Sequence, residues 1–116
     1  MISIQSEERP WGRFFVVHDE SNYKLKRIEV EPGCRLSYQF HSKRSESWII
    51  VDGIATVTLD DKVQNYSYGD TINIPQGCKH RIENKGKNKV VFIEVQTGKY
   101  FGEDDIIRIE DDYGRK

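Results

Sequence analysis

Cysteine, proline, methionine and histidine are all scarce in this chain of 116 residues, and each scarcity narrows what the protein can be. Two cysteines, Cys34 and Cys78, are too few for a disulfide-dense scaffold. The first residues, Met1 to Glu8, show neither a basic n-region nor an apolar h-region. The two cysteines therefore read as free thiols in a reducing, cytoplasmic setting. Long hydrophobic runs are missing as well. The richest stretch, Trp48-Ile-Ile-Val51, is far below the length that crosses a bilayer, so no membrane partner is expected. Neither sign of charge dominates: 18 basic and 19 acidic residues give a net charge of −1. A nucleic-acid binder would carry a basic excess, so none is expected as a partner. The length suits one domain over residues 1–116.

What is present is short apolar alternation broken by glycine and proline. Candidate strands cover 13–18, 23–30, 36–40, 45–51, 55–59, 62–66, 71–74, 79–84 and 90–96. Asp60-Asp61 and Asp52-Gly53 supply turn signals between them. Short strands at this spacing predict an all-β sandwich or barrel. Residues 101–116 differ, alternating acidic clusters with Ile106, Ile107 and Ile109. The isoleucines predict that this tail docks on the barrel, as a short C-terminal helix beginning after Gly102.

Only three histidines occur, and two have a telling context. Gln39 and His41 are two apart, so a strand points both to one face. The segment Ser42-Lys43-Arg44-Ser45 can bend and bring Glu46 back beside His41. Glu46 then shares a strand face with Trp48 and Ile50, where a carboxylate needs a partner such as a metal ion. Further on, Gly69, Pro75 and Gly77 bracket a turn that delivers His80 onto a strand with Ile82 and Asn84. Parity along 23–30 places Lys24 and Lys26 with Ile28 and Val30, against Tyr23, Leu25, Arg27 and Glu29 on the other face; Lys26 either reaches solvent or, if the isoleucine face is the buried one, projects into the barrel. There an anion could compensate its charge.

The pattern Gly33-x5-Gln39-x-His41-x4-Glu46-x6-Gly53, followed by the Gly69 to Asn84 element, resembles the paired motifs of the cupin superfamily. Most cupins carry histidine where this chain has Gln39. Glutamine there resembles the phosphomannose isomerases. Arg9-Pro-Trp-Gly12, Asn22 to Ile28, Ile93 to Gln96 and Gly102 to Arg115 are similar to the type II members, whose cupin domain usually follows a mannose-1-phosphate guanylyltransferase domain. That second domain is absent from these residues, so guanylyl transfer is not carried over. The resemblance implies a cupin-type double-stranded β-helix, or jelly-roll barrel. It also implies a metal held by Gln39, His41, Glu46 and His80, and a homodimer through sheet edges. One departure stands out: Ser42, Lys43 and Ser47 occupy positions where type II members are often histidine-rich.

The implied ligands offer one amide oxygen, two imidazoles and one carboxylate. This set suits a divalent ion; zinc is expected by resemblance, and manganese, iron, cobalt or nickel also fit. The implied activity is interconversion of mannose 6-phosphate and fructose 6-phosphate. Arg44 and Lys26 are the expected catalytic and substrate-binding residues, since a guanidinium offers paired donors to phosphate or an enediolate. Arg108 is a further substrate-binding candidate, with Arg115 beside it, if the tail crosses the cavity mouth. The base that moves the proton stays open among Glu94, Lys26 and a water on the metal. Other phosphorylated or nucleotide-linked sugars, and a non-catalytic sugar-binding role, also remain open.

Overall fold

The computed structural model describes residues 5–115; residues 1–4 and 116, which include half of the N-terminal segment read above, lie outside that range. The strands in chain order are β1 (Gln5–Arg9), β2 (Gly12–Asp19), β3 (Tyr23–Val30), β4 (Tyr38–His41), β5 (Arg44–Asp52) and β6 (Ala55–Leu59). They continue with β7 (Lys62–Tyr66), β8 (Thr71–Ile74), β9 (His80–Glu83), β10 (Val90–Gly98) and β11 (Ile106–Glu110). A six-stranded sheet runs β1-β2-β3-β10-β5-β8, and a five-stranded sheet runs β11-β4-β9-β6-β7. Every strand pairing is antiparallel, and the two sheets face each other as a jelly-roll barrel, the fold class expected from the sequence.

Period-two alternation builds the interior. In the larger sheet the inward residues form rows across the strands. Phe14, Ile28, Phe92 and Ile50 stand side by side, all buried. With Val57, Ile82 and Ala55 from the other sheet they form an apolar floor. In the next row Lys26, Glu94, Trp48 and Ile72 align, and beyond it Lys24, Gln96, Glu46 and Ile74. The interior therefore changes from apolar to polar within two rows, without any break in the alternation. That change creates the cavity.

Two elements depart from the sequence expectation. β1 went unpredicted because Gln-Ser-Glu-Glu-Arg has no apolar alternation; it is an edge strand held by its ladder to β2. The short C-terminal helix is corrected to a single 3-10 turn, Glu103–Asp105, leading straight into β11. Two physical reasons favour the strand. Ile106, Ile107 and Ile109 are β-branched. β4 also has backbone groups to offer, because its ladder to β9 consists of the pair Gln39 and His80. β11 takes up that edge, pairing Ile106 with His41 and Arg108 with Gln39.

The tail is then tied down by ion pairs. Arg35 grips Asp112 with two bonds of 2.7 and 2.9 Å, and Arg115 grips Asp111 with bonds of 2.9 and 3.0 Å. At the Asp60-Asp61 turn both residues adopt positive φ, 45° and 69°, as a tight right-twisted hairpin requires. Among the described residues no helix is long and apolar enough to cross a membrane. Cys34 and Cys78 are both free.

Gly12 opens β2 at a φ of 152°, and a Cβ built there would lie 2.1 Å from the Glu29 carbonyl oxygen. Replacing Gly12 with alanine is expected to cost about 2 kcal/mol or more in chemical denaturation, because backbone rather than a side chain must give way. The tail predicts an acid limit too. The Arg115 guanidinium holds the Asp111 carboxyl down to about 2, against an ordinary 3.8. A lowered carboxyl stabilises the fold fully above its unfolded value and loses that contribution as pH falls through the folded value. Thermal midpoints should therefore drop as pH falls from 3.8 towards about 2, and Asp111→Asn should flatten that part of the profile.

Candidate metal centre and cavity

Three loops and strands converge on one group of donor atoms. His41 ends β4, Glu46 lies on β5, and His80 opens β9 after the Pro75 to Lys79 turn. One ligand atom from each lies within 4.8 Å of the others, and all three residues are buried. Glu46 Oε2 is 3.2 Å from His41 Nε2, and Glu46 Oε1 is 3.8 Å from His80 Nε2.

The hydrogen bonds reveal which atoms carry lone pairs. His80 Nδ1 sits 3.0 Å from the Cys78 carbonyl, which can only accept, so the proton is on Nδ1. Its Nε2 is then a bare lone pair, buried and without a partner. Arg44 Nη2 donates to His41 Nε2 at 2.9 Å, so that nitrogen also presents a lone pair, and the proton falls to the unpartnered Nδ1. Burial first, then Arg44, pushes the His41 imidazole down to about 3; burial likewise lowers His80. Two neutral imidazoles and a carboxylate thus bring lone pairs together, that of His41 accepting from Arg44, and such a donor set fits a divalent cation. The carbonyl behind His80 fixes ring and tautomer as a ligand requires.

Gln39 shares the wall of the same cavity and pairs in register with His80. Its Oε1 accepts from Ser37 Oγ at 2.6 Å, which leaves a second lone pair on that oxygen. The structure therefore gathers His41, Glu46 and His80 tightly and sets Gln39 alongside them.

Arg44, the first residue of β5, is 4% exposed. Besides His41 it reaches the Phe101 carbonyl at 3.1 Å and lies 3.4 Å from Glu46 Oε2. It is a buried neighbour of the donor group. Lys26 does face the interior, 4.3 Å above the Phe14 ring and opposite Glu94 in the ladder. Burial lowers its pKa, and Glu94 partly offsets this. Arg108, brought over by β11, lines the cavity with a buried Nε that has no hydrogen-bond partner. Arg115 lines it as well.

Glu94 is 5% exposed and stands beside Glu46, the two sharing the Trp48 indole N–H at 3.3 and 3.0 Å. Burial, then repulsion from Glu46, raises its carboxyl to about 8. Gln96, fully buried, donates to Glu94 Oε2 at 3.0 Å and keeps a bare Oε1. Gln96 was missed from sequence, although its parity with Glu94 was a usable signal. Arg9, which lines the mouth and pairs with Glu103 at 3.2 Å, was missed with no local signal to find it. Cys78 is not part of this donor group: its Sγ donates to the Lys79 carbonyl, and burial pushes its thiol up to about 11.

Residues 3–111 match the family described as mannose-6-phosphate isomerase, C-terminal. The chain is 47% identical over 107 residues to the xanthan biosynthesis protein XanB of Xanthomonas campestris pv. campestris (strain B100). It is 48% identical over 107 residues to the alginate biosynthesis protein AlgA of Pseudomonas aeruginosa, and 43% to the mannose-1-phosphate guanylyltransferase of Escherichia coli K12. Each alignment takes in 92% of this chain but only 22–23% of the relative, so the chain spans about a quarter of their length. Among solved structures, the capsular polysaccharide assembling protein CapF of Staphylococcus aureus superposes with a TM-score of 0.80, covering 95% of this chain and 33% of that one at 21% identity. Oxalate decarboxylase OxdC of Bacillus subtilis superposes at 0.81, covering 91% and 30% at 20% identity. At such identities the structural likeness speaks for the fold alone. The family match over almost the whole chain goes further, and with the donor group on the barrel's inner wall it makes this a cupin domain of the mannose-6-phosphate isomerase C-terminal family.

Proposed function

We propose that this domain is a metal-dependent aldose–ketose isomerase that interconverts mannose 6-phosphate and fructose 6-phosphate. One observation carries the reading: Glu46, the carboxylate beside His41 and His80, lines the same cavity as a raised carboxyl, Glu94, and cations left without a carboxylate. Five cationic side chains line the cavity, Arg9, Lys26, Arg44, Arg108 and Arg115, against Glu46, Glu94 and Glu103. Arg9 is paired with Glu103, Arg115 with Asp111, and Arg44 lies against Glu46. Lys26 and Arg108 have no ion-pair partner among the described residues, so an entering dianion would meet uncompensated positive charge. A sugar phosphate supplies that dianion.

His41, Glu46 and His80 would hold the cation, with Gln39 as a fourth ligand through its free lone pair; zinc is the ion we favour. When bound, a divalent ion supplies charge that polarises the oxygens on C1 and C2 of the sugar. The chain's own residues do the rest. Glu94, with its proton affinity raised by burial, is matched to carry a proton between C1 and C2 near neutral pH. Trp48 and Gln96 hold the two Glu94 oxygens in place. Arg108 and Lys26 anchor the phosphate, and the apolar floor of Phe14, Ile28 and Phe92 keeps water from the reacting carbons. A cytoplasmic homodimer, joined through the open sheet edges, belongs to the same proposal; light scattering tests its stoichiometry.

Metal-loaded protein incubated with mannose 6-phosphate in deuterated water should yield fructose 6-phosphate, with deuterium at the carbon that exchanged its proton. Exchange with another sugar phosphate but not this one would redirect the substrate assignment. Absence of exchange across a panel of sugars and metals would overturn the enzyme reading in favour of a binding role. Glu46→Gln should lower metal content and reduce turnover by about 100-fold or more. Arg108→Ala should raise KM about tenfold with a smaller effect on kcat, since one charge-assisted bond to phosphate contributes roughly 1.5–3 kcal/mol.

A further inference from the structure

The strand that carries Gln39 and His41 has little support of its own. β4 meets β9 at a single register pair, and the rest of its ladder comes from β11 in the tail. Immediately after His41 the chain turns through Ser42 and Lys43 and enters β5 at Arg44. Those two turn residues separate one donor, His41, from Arg44 and the next donor, Glu46. Any rotation of the turn would move the donors relative to each other.

A carboxylate from the tail is fastened to that turn. Asp105, the last residue of the 3-10 turn, is 6% exposed. Its Oδ1 accepts from Ser42 N at 3.2 Å and Ser42 Oγ at 2.8 Å, while Oδ2 accepts from Lys43 N at 2.9 Å. Both backbone N–H groups of the turn are thereby satisfied by one side chain. Four residues upstream, the Phe101 carbonyl accepts from Arg44 Nη1. On the opposite side Gly98 pairs with Arg44, and a Cβ there would come within 2.5 Å of the Lys43 carbonyl oxygen. The His41 carbonyl accepts from Gly77 N at 2.7 Å, which links the turn to the loop that delivers His80. The two turn residues are themselves exposed, and it is the buried Asp105 carboxylate that takes up both of their amides.

We propose that Asp105 is a positioning residue for the donor group: by bridging the Ser42 and Lys43 amides it sets His41, Arg44 and Glu46 in the geometry that a cation requires. The proposal rests on the metal-binding reading above. A tail that merely adds stability would make a different prediction. Asparagine at 105 keeps the shape but replaces one acceptor oxygen with an NH2 donor, so in the native position one side of the bridge to the turn is lost.

The test titrates zinc into the metal-free folded protein by calorimetry, alongside thermal melts, for the wild type, Asp105→Asn, Ser42→Ala and Asp112→Asn. Asp112 also fastens the tail, through Arg35, but touches nothing at the turn. Asp105→Asn is expected to weaken zinc binding about tenfold or more, as loss of a group that orients ligands does. Asp112→Asn is expected to lower the melting temperature while leaving zinc affinity within about twofold, a comparison that separates positioning from stability. Equal zinc affinity in folded Asp105→Asn and the wild type overturns the proposal. Should Asp105→Asn fail to fold, Ser42→Ala, which removes only the hydroxyl bond, must weaken zinc binding relative to Asp112→Asn; equal affinity overturns it. A wild-type protein that takes up no cation overturns the metal reading itself, and this proposal with it.

Discussion

A carboxylate placed where water is excluded must be compensated, and Glu46 is such a carboxylate, 4% exposed on the inner face of β5. The side chains around it answer that requirement in part and leave room for a cation to complete it. Trp48, two residues along, donates its indole N–H, and Arg44, two residues back, brings a guanidinium; the neutral His41 and His80, from the facing sheet, instead add lone pairs that only a cation would join to the carboxylate. These groups come from β5 itself, from β4 and from β9, so donors from both sheets gather at one point. An uncompensated charge here would cost several kcal/mol, a large share of the stability of a domain this size.

The same constraint explains how the fold divides its interior. The row of Phe14, Ile28, Phe92 and Ile50 gives a dry floor, and the adjacent rows carry Lys26, Glu94, Gln96 and Glu46. Low dielectric beneath the polar rows strengthens each electrostatic contact within them. It also moves the carboxyl of Glu94 upward and the imidazole of His41 downward, which leaves the imidazole neutral. The chemistry of the site therefore follows from where the alternation switches composition, not from any special backbone.

The tail is part of the site, although it is last in the chain. β11 completes the ladder of the ligand strand, Arg108 and Arg115 reach the cavity from it, and Asp105 holds the turn between donors. Ion pairs of Asp111 and Asp112 secure its end. A segment that composition describes as an acidic, solvated run is, in three dimensions, one wall of the cavity.

Much of this was legible beforehand, and the reasons are specific. Strand parity grouped Glu46 with Trp48 and Ile50, and Lys26 with Ile28 and Val30; Tyr23 and Leu25 on the opposite face left the inward side of β3 open until burial of Ile28 and Val30 settled it. The glycine and proline frames placed His41 and His80 at strand ends. Gln39 was legible only through family resemblance, since an amide two residues from a histidine carries no signal by itself. Other features were out of reach. β1 and β11 form because a partner edge is available, which local composition does not encode; the helix expected after Gly102 failed for that reason. The bond from Asp105 to Ser42 spans 63 positions, and the pair of Arg9 with Glu103 spans 94. The amino-acid sequence by itself determined which residues share a strand face and which of them can bind a cation. Only the tertiary structure decided which charges stay unpaired in the cavity and what holds the donors in place, because burial and compensation depend on neighbours brought together across the whole chain.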